Sequence, residues 1–86
     1  MVKYNSVPPD TYIRVKKGLQ GDHIVSQYPS FHESMYDSFE IISLDGKVAV
    51  YYYKDGTLEV KGNDTNSFFR SIVRQVNKLV SRKEYL

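Results

Sequence analysis

Between Ser38 and Lys61 apolar side chains fall on alternate positions, the period of a half-buried β-strand. "SFEIISL" and "KVAVYYY" lie on either side of Asp45-Gly46, and "TLEVK" follows Lys54-Asp55-Gly56. Asp-Gly between two such runs predicts a type I′ turn, whose two central positions both need positive φ. That turn pairs Leu44 with Lys47, Ile41 with Val50 and Phe39 with Tyr52. The second hairpin resists the same treatment. A two-residue Asp55-Gly56 turn would set Tyr52 against Glu59 and bring charge onto the apolar face. A three-residue loop, Lys54-Asp55-Gly56, instead sets Tyr53 against Thr57, Tyr52 against Leu58 and Val50 against Val60. Gly56 then takes the left-handed position of a bulge, where glycine is least strained. Phe39, Ile41, Val48, Val50, Tyr52, Leu58 and Val60 form the predicted core face.

After Gly62 the period changes to that of a helix. Phe68, Phe69, Ile72, Val73, Val76, Leu79 and Val80 form one broad stripe, with Asp64 or Thr65 as the expected N-cap. The N-terminal half carries weaker signals. Residues 1–10, with Pro8-Pro9, read as a flexible lead-in to a single domain over 11–86. "TYIRVKK" (Thr11 to Lys17) alternates Tyr12, Arg14 and Lys16 with Ile13 and Val15, which suggests a strand. Ile24, Val25 and Tyr28 at helical spacing behind Asp22 suggest a short helix ending before Pro29, and "SFHESMYDS" leaves room for a further helical turn. The fold class is α+β: an antiparallel meander packed on one face by a long C-terminal helix.

Composition sharpens this in two ways. The chain has 86 residues, 41% hydrophobic and 26% charged, with no cysteine, so disulfides and thiolate metal sites are excluded. No apolar run is long enough to span a bilayer, and "MVKYNSVPPD" has no apolar core of a targeting peptide, so a cytoplasmic protein is expected. The net charge of +2 is unevenly spread. Residues 65–86 carry five basic groups against one acidic, a net +4, whereas residues 1–64 carry seven against nine, a net −2.

The three consecutive tyrosines divide between two faces. Tyr52 belongs to the core; Tyr51 and Tyr53 share the opposite face with Glu40, Ile42, Leu44, Lys47, Ala49, Thr57, Glu59 and Lys61. Tyrosine rings among lysines suit nucleic acid, since rings stack on bases while ammonium groups meet phosphates. The same pattern also suits plain cross-strand pairing, or a protein contact or homodimer centred on Ile42 and Leu44. Arg70, Arg74, Lys78 and Arg82 recur every four residues as a basic ridge on the C-terminal helix. Arg14, Lys16 and Lys17 are candidates to extend it. His23 and His32 are the only histidines, and no glycine-rich phosphate loop, nucleophile elbow or metal-ligand spacing is present. Asp22, Glu33, Asp37 and Glu40 read as surface acids. The expectation is a nonenzymatic module without cofactors.

At "VYYYKDGTLEVKGND" followed by "SFFRSIV" the sequence resembles the TATA-binding-protein-like domain, as found at the N-terminus of ribonuclease HIII and in RNase LS-type toxins. Tyr53, Gly56, Thr57, Leu58, Val60, Gly62 and Phe69 match that pattern, while Lys61 stands where the family often has Gln. The likeness covers about residues 38–80. It implies a curved antiparallel sheet with helices on its convex side and a concave face bearing Tyr51 and Tyr53. It further implies nucleic-acid or substrate binding on that face, with catalysis left to other domains.

Overall fold

A computed structural model describes residues 1–27 and 33–81. In chain order the elements are β1 (Val2–Tyr4), α1 (Pro9–Asp22), β2 (Ile24–Gln27), β3 (Met35–Ser43), β4 (Gly46–Tyr53), β5 (Leu58–Lys61) and α2 (Ser67–Ser81). The five strands form one open antiparallel sheet in the order β1-β5-β4-β3-β2. Phe39, Ile41, Val48, Val50, Tyr52, Leu58 and Val60 are all buried on one face. Tyr12, Val15 and Leu19 of α1 and Phe69, Ile72 and Val76 of α2 complete the same core, so both helices lie on that face. Fully burying such side chains is worth roughly 1.5–3 kcal/mol each, so this layer dominates stability.

The second hairpin has the predicted register. Val50 faces Val60 and Tyr52 faces Leu58. Tyr53 N–H donates to Thr57 O at 2.8 Å, Gly56 N–H donates to Tyr53 O at 2.9 Å, and Gly56 has φ +93°. The first hairpin differs by two residues. Ser43 pairs with Gly46, so Leu44-Asp45 is the turn, and Phe39 faces Val50 while Ile41 faces Val48. Neither Leu44 nor Asp45 takes positive φ; Gly46, at φ +146°, takes it instead. A two-residue slip conserves side-chain parity, so the predicted core face survives the shift.

Four N-terminal expectations are corrected. Residues 1–10 are not a loose lead-in: Val2 pairs with Val60, and Tyr4 with Leu58. Val7 is buried; its N–H donates to Gly56 O, and its carbonyl accepts from the Tyr52 hydroxyl at 2.6 Å. Thr11–Lys17 is not a strand but the middle of α1. Pro9 stands in the first turn, where its missing N–H costs nothing, and Tyr12, Val15 and Leu19 recur at helical spacing. Gly18 does not break this helix. A Cβ there would lie 2.8 Å from Leu79 Cδ1, so the glycine lets α1 and α2 approach closely. Ile24 and Val25 belong to a strand, β2, pairing with Ile42 and Ile41. "MYDS" opens β3 rather than a helical turn. Tyr28, His32 and Arg82, all named above, lie outside the described residues.

The cap of α2 is Asn66, not Asp64 or Thr65. Asn66 Oδ1 accepts from Phe68 N–H at 2.7 Å and Phe69 N–H at 3.3 Å. The Asn63–Asn66 turn explains the displacement, because Asn63 Oδ1 holds both the N–H and the hydroxyl of Thr65. Asn66 Nδ2 also donates to Asp45 O at 2.9 Å, fastening the first hairpin turn to the helix start.

Candidate functional site

The pleat places four rows of side chains on the sheet face away from the helices. One runs Ser38–Tyr51–Glu59–Lys3 across four strands. Beside it on one side lies Ser26–Glu40–Ala49–Lys61, then Ile24–Ile42–Lys47. On the other side Met35 faces Tyr53, whose backbone bonds Thr57. Tyr51, Tyr53, Lys47, Lys61 and Thr57 are thus brought onto one surface, as their spacing predicted.

Local contacts set the chemistry of this surface. Lys61 Nζ stands 5.5 Å from the centroid of the Tyr51 ring, within cation–π range. The Tyr53 hydroxyl donates to Glu59 Oε1 at 3.0 Å, and Lys3 Nζ lies 3.6 Å from Glu59 Oε2. Burial and then the bond to Glu59 push the Tyr53 phenol up from its ordinary value, so the ring stays neutral. Glu59 therefore anchors Tyr53 while Lys3 offsets its charge. Lys47 and Lys61 remain exposed at the rim.

The ridge is not part of this surface. Arg70, Arg74 and Lys78 are exposed on α2, whose Phe69, Ile72 and Val76 face the opposite side of the sheet. Arg14 and Lys16 do not extend the ridge as free cations. Arg14 Nε and Nη2 each donate to Leu79 O at 3.3 Å, satisfying a carbonyl in the last turn of α2. Lys16 Nζ lies 2.7 Å from Asp37 Oδ2. Lys17 alone of the three is exposed.

Asp37 is not a surface acid. Its Oδ2 accepts from the Tyr12 hydroxyl and Lys16, and its Oδ1 accepts from Gln27 Nε2 at 2.7 Å. Burial pushes this carboxyl up, but the hydrogen bonds from Lys16, Tyr12 and Gln27 outweigh it and hold Asp37 below its ordinary value. Burial, reinforced by Asp37, raises the Tyr12 phenol far above its own. The cluster pins α1 to β2 and β3. His23 has a structural place too: its Nε2 meets Gln75 Oε1 at 3.1 Å, and its ring sits edge-on to Phe68. Among the described residues no three His, Asp or Glu side chains gather as a metal site requires, and no helix is long and apolar enough to cross a membrane.

Sequence reasoning missed Lys3, Ile24 and Tyr36. Lys3 and Ile24 join the open face because β1 and β2 are strands, and elements of three and four residues leave little periodicity to detect. Tyr36 lies at an irregularity in β3, where Met35 faces Tyr53 and Asp37 faces Tyr52, leaving it without a partner in the register. Comparison with protein-family models, curated proteins and solved structures finds no match.

Proposed function

We propose that the chain is a nonenzymatic nucleic-acid-binding module acting through the open face of its sheet. One observation carries this reading: the single sheet face that neither helix covers combines Tyr51 and Tyr53 with the exposed Lys47 and Lys61. Rings offer stacking platforms that accept any base, and the lysines supply the cations that a phosphate backbone requires. Tyr53 is fixed by its bond to Glu59, so little freedom is lost when a base settles on it. The likeness to the TATA-binding-protein-like domain is part of the proposal. That likeness implies an antiparallel sheet with helices on one side, and the sheet here carries both of its helices on one face. Titrating labelled single strands, duplexes and an RNA–DNA hybrid at two salt concentrations tests the reading. Binding that weakens steeply with salt is expected, and no binding to any of them at low salt would reject it.

A second reading, a protein contact or homodimer, is favoured by the apolar corner of the same face. Ile24 and Ile42 face each other at 73% and 38% exposure, and Leu44 in the adjoining turn is fully exposed. If that corner is the interface, Ile42→Glu abolishes self-association or partner binding in a folded monomer. A protein that sediments as a monomer at high concentration removes the homodimer.

A further inference from the structure

At the end of the sheet where β4 runs into the Lys54-Asp55-Gly56 loop, Pro9, Tyr36, Tyr52, Tyr53 and Lys54 line a notch of about 380 Å³. That lies at the small end of the volumes usual for ligand pockets. Its composition is unusual for this molecule: three tyrosines, one proline and a single charged group.

The geometry explains how Tyr36 comes to be there. β4 offers the consecutive residues Tyr52 and Tyr53 to Asp37 and Met35, so Tyr36 is the extra residue of a bulge. Bulges re-aim side chains out of the regular alternation. Tyr36 is 62% exposed, a large aromatic surface held in water. It is nonetheless braced, because its ring meets Tyr52 edge-on at 5.7 Å and 87°. Tyr52 is in turn stacked on Tyr12, with centroids 4.2 Å apart and planes within 4°, and its hydroxyl is tied to Val7 O. Tyr53 is held by Glu59 from the open face. The rings of Tyr36 and Tyr52 are therefore positioned before any ligand arrives, and Tyr53, also a lining residue, carries its own ring on the open face.

We infer that this notch is a slot for one unstacked base of a single strand, with the exposed Tyr36 ring, braced by Tyr52, as its stacking wall and Lys54 as the cation for an adjoining phosphate. The inference rests on the reading of the open face as a nucleic-acid site and adds the class of strand. A base in a duplex has both of its faces covered and enters such a slot only after unstacking, which costs energy that a single strand does not owe. The slot thus makes the protein prefer single-stranded nucleic acid. A proline-rich peptide also fits aromatic-lined grooves. Lys54, the one charged group of the lining, favours the nucleotide.

The test uses the full chain with a dye-labelled oligothymidylate and oligouridylate, each carrying one fluorescent purine analogue whose emission is quenched by stacking, and with the matching duplexes. Anisotropy gives affinity and the analogue reports stacking. The parent protein is expected to bind single strands more tightly than duplexes and to quench the analogue. Tyr36→Ala should lose roughly 5- to 150-fold in single-strand affinity, the range for one stacked base, with most of the quenching. Tyr36→Phe keeps the ring and should retain both, which a role for the hydroxyl would not predict. An unaltered melting curve for each variant establishes that its fold is intact. If Tyr36→Ala binds and quenches like the parent while Tyr51→Ala weakens binding, the slot is wrong and the open-face reading stands. Duplexes bound as tightly as single strands also overturn the slot. Failure of the parent to bind any of the probes removes both readings, and Tyr36-dependent binding of a labelled oligoproline in that case assigns the notch to protein.

Discussion

Replacing Gly56 probes the one turn whose geometry sequence and structure describe identically. Its φ of +93° lies in the region that side chains with a Cβ rarely adopt, and such a conformation costs a non-glycine residue about 1–2 kcal/mol. Space adds to the conformational term. A Cβ on residue 56 would lie 3.4 Å from Val7 O and 3.5 Å from Ser6 Cα, both of them backbone. That backbone cannot easily retreat, because Val7 N–H donates to Gly56 O at 2.8 Å and Val7 O receives the Tyr52 hydroxyl. Alanine should therefore cost about 1–2 kcal/mol, and valine at least about 1 kcal/mol more, because its γ-methyls crowd the same segment. For a domain of this size 1 kcal/mol is about 4–8 °C in Tm, so Gly56→Ala should melt roughly 5–15 °C lower. Asparagine, which tolerates positive φ, should be the mildest of the three replacements. Thermal melts with urea titrations of all four proteins measure the order Gly, Asn, Ala, Val. A Gly56→Val protein as stable as the parent would refute the turn, and with it the register that aligns Tyr51 and Tyr53 on the open face.

Other expected outcomes follow from single contacts. Asn66→Ala removes the acceptor for Phe68 and Phe69 N–H and should cost about 0.5–2 kcal/mol by urea titration, while Asn66→Asp retains the acceptor and should lose less. Asp37 has a lowered pKa in the fold, so its contribution is fully present above its unfolded value, about 4, and is lost as pH falls through the lower folded value. Asp37→Asn should accordingly flatten the acid limb of a stability-versus-pH curve below about pH 4; an unchanged limb would show that the cluster with Tyr12, Lys16 and Gln27 carries no linkage. Gly62→Ala would put a Cβ 2.4 Å from Cδ1 of the buried Phe69 ring, and should lower Tm by forcing that ring to move.

What could be read in advance depended on how many residues repeat a pattern. β4 and β5 are legible because Val50, Tyr52, Leu58 and Val60 alternate, and because a three-residue loop keeps Glu59 off the core face where a two-residue turn does not. The first hairpin departs from its predicted register because Asp45-Gly46 satisfies a turn rule, whereas the chain turns at Leu44-Asp45 and uses the glycine one step later. Parity is the same in either register, so Tyr51, Tyr53, Lys47 and Lys61 share one face despite the slip. α1 was hidden by a coincidence: Ile13 and Val15 fit alternation, yet Ile13 is 49% exposed while Val15 is buried in a helical stripe that runs past Gly18. The Asp37 cluster joins residues from α1, β2 and β3 that share no motif, so only the packed chain brings it together. Tyr36 owes its place to a bulge, for which a single sequence carries no signal.

The open face and the ridge lie on opposite sides of the core, so one comparison tests the central claim most directly. The affinity of a labelled single strand is measured against salt for the parent, for Tyr51→Ala/Tyr53→Ala, and for Arg70→Ala/Arg74→Ala/Lys78→Ala. The sheet variant, still folded, should bind more weakly by about 1–3 kcal/mol per stacked ring. The ridge variant should keep the parent's affinity and salt slope, since its cations sit behind the core and meet no phosphate of the bound strand. Unchanged affinity in the folded tyrosine variant, together with a large loss and a slope lower by about one phosphate per cation removed in the ridge variant, would contradict the assignment and move the binding surface to α2.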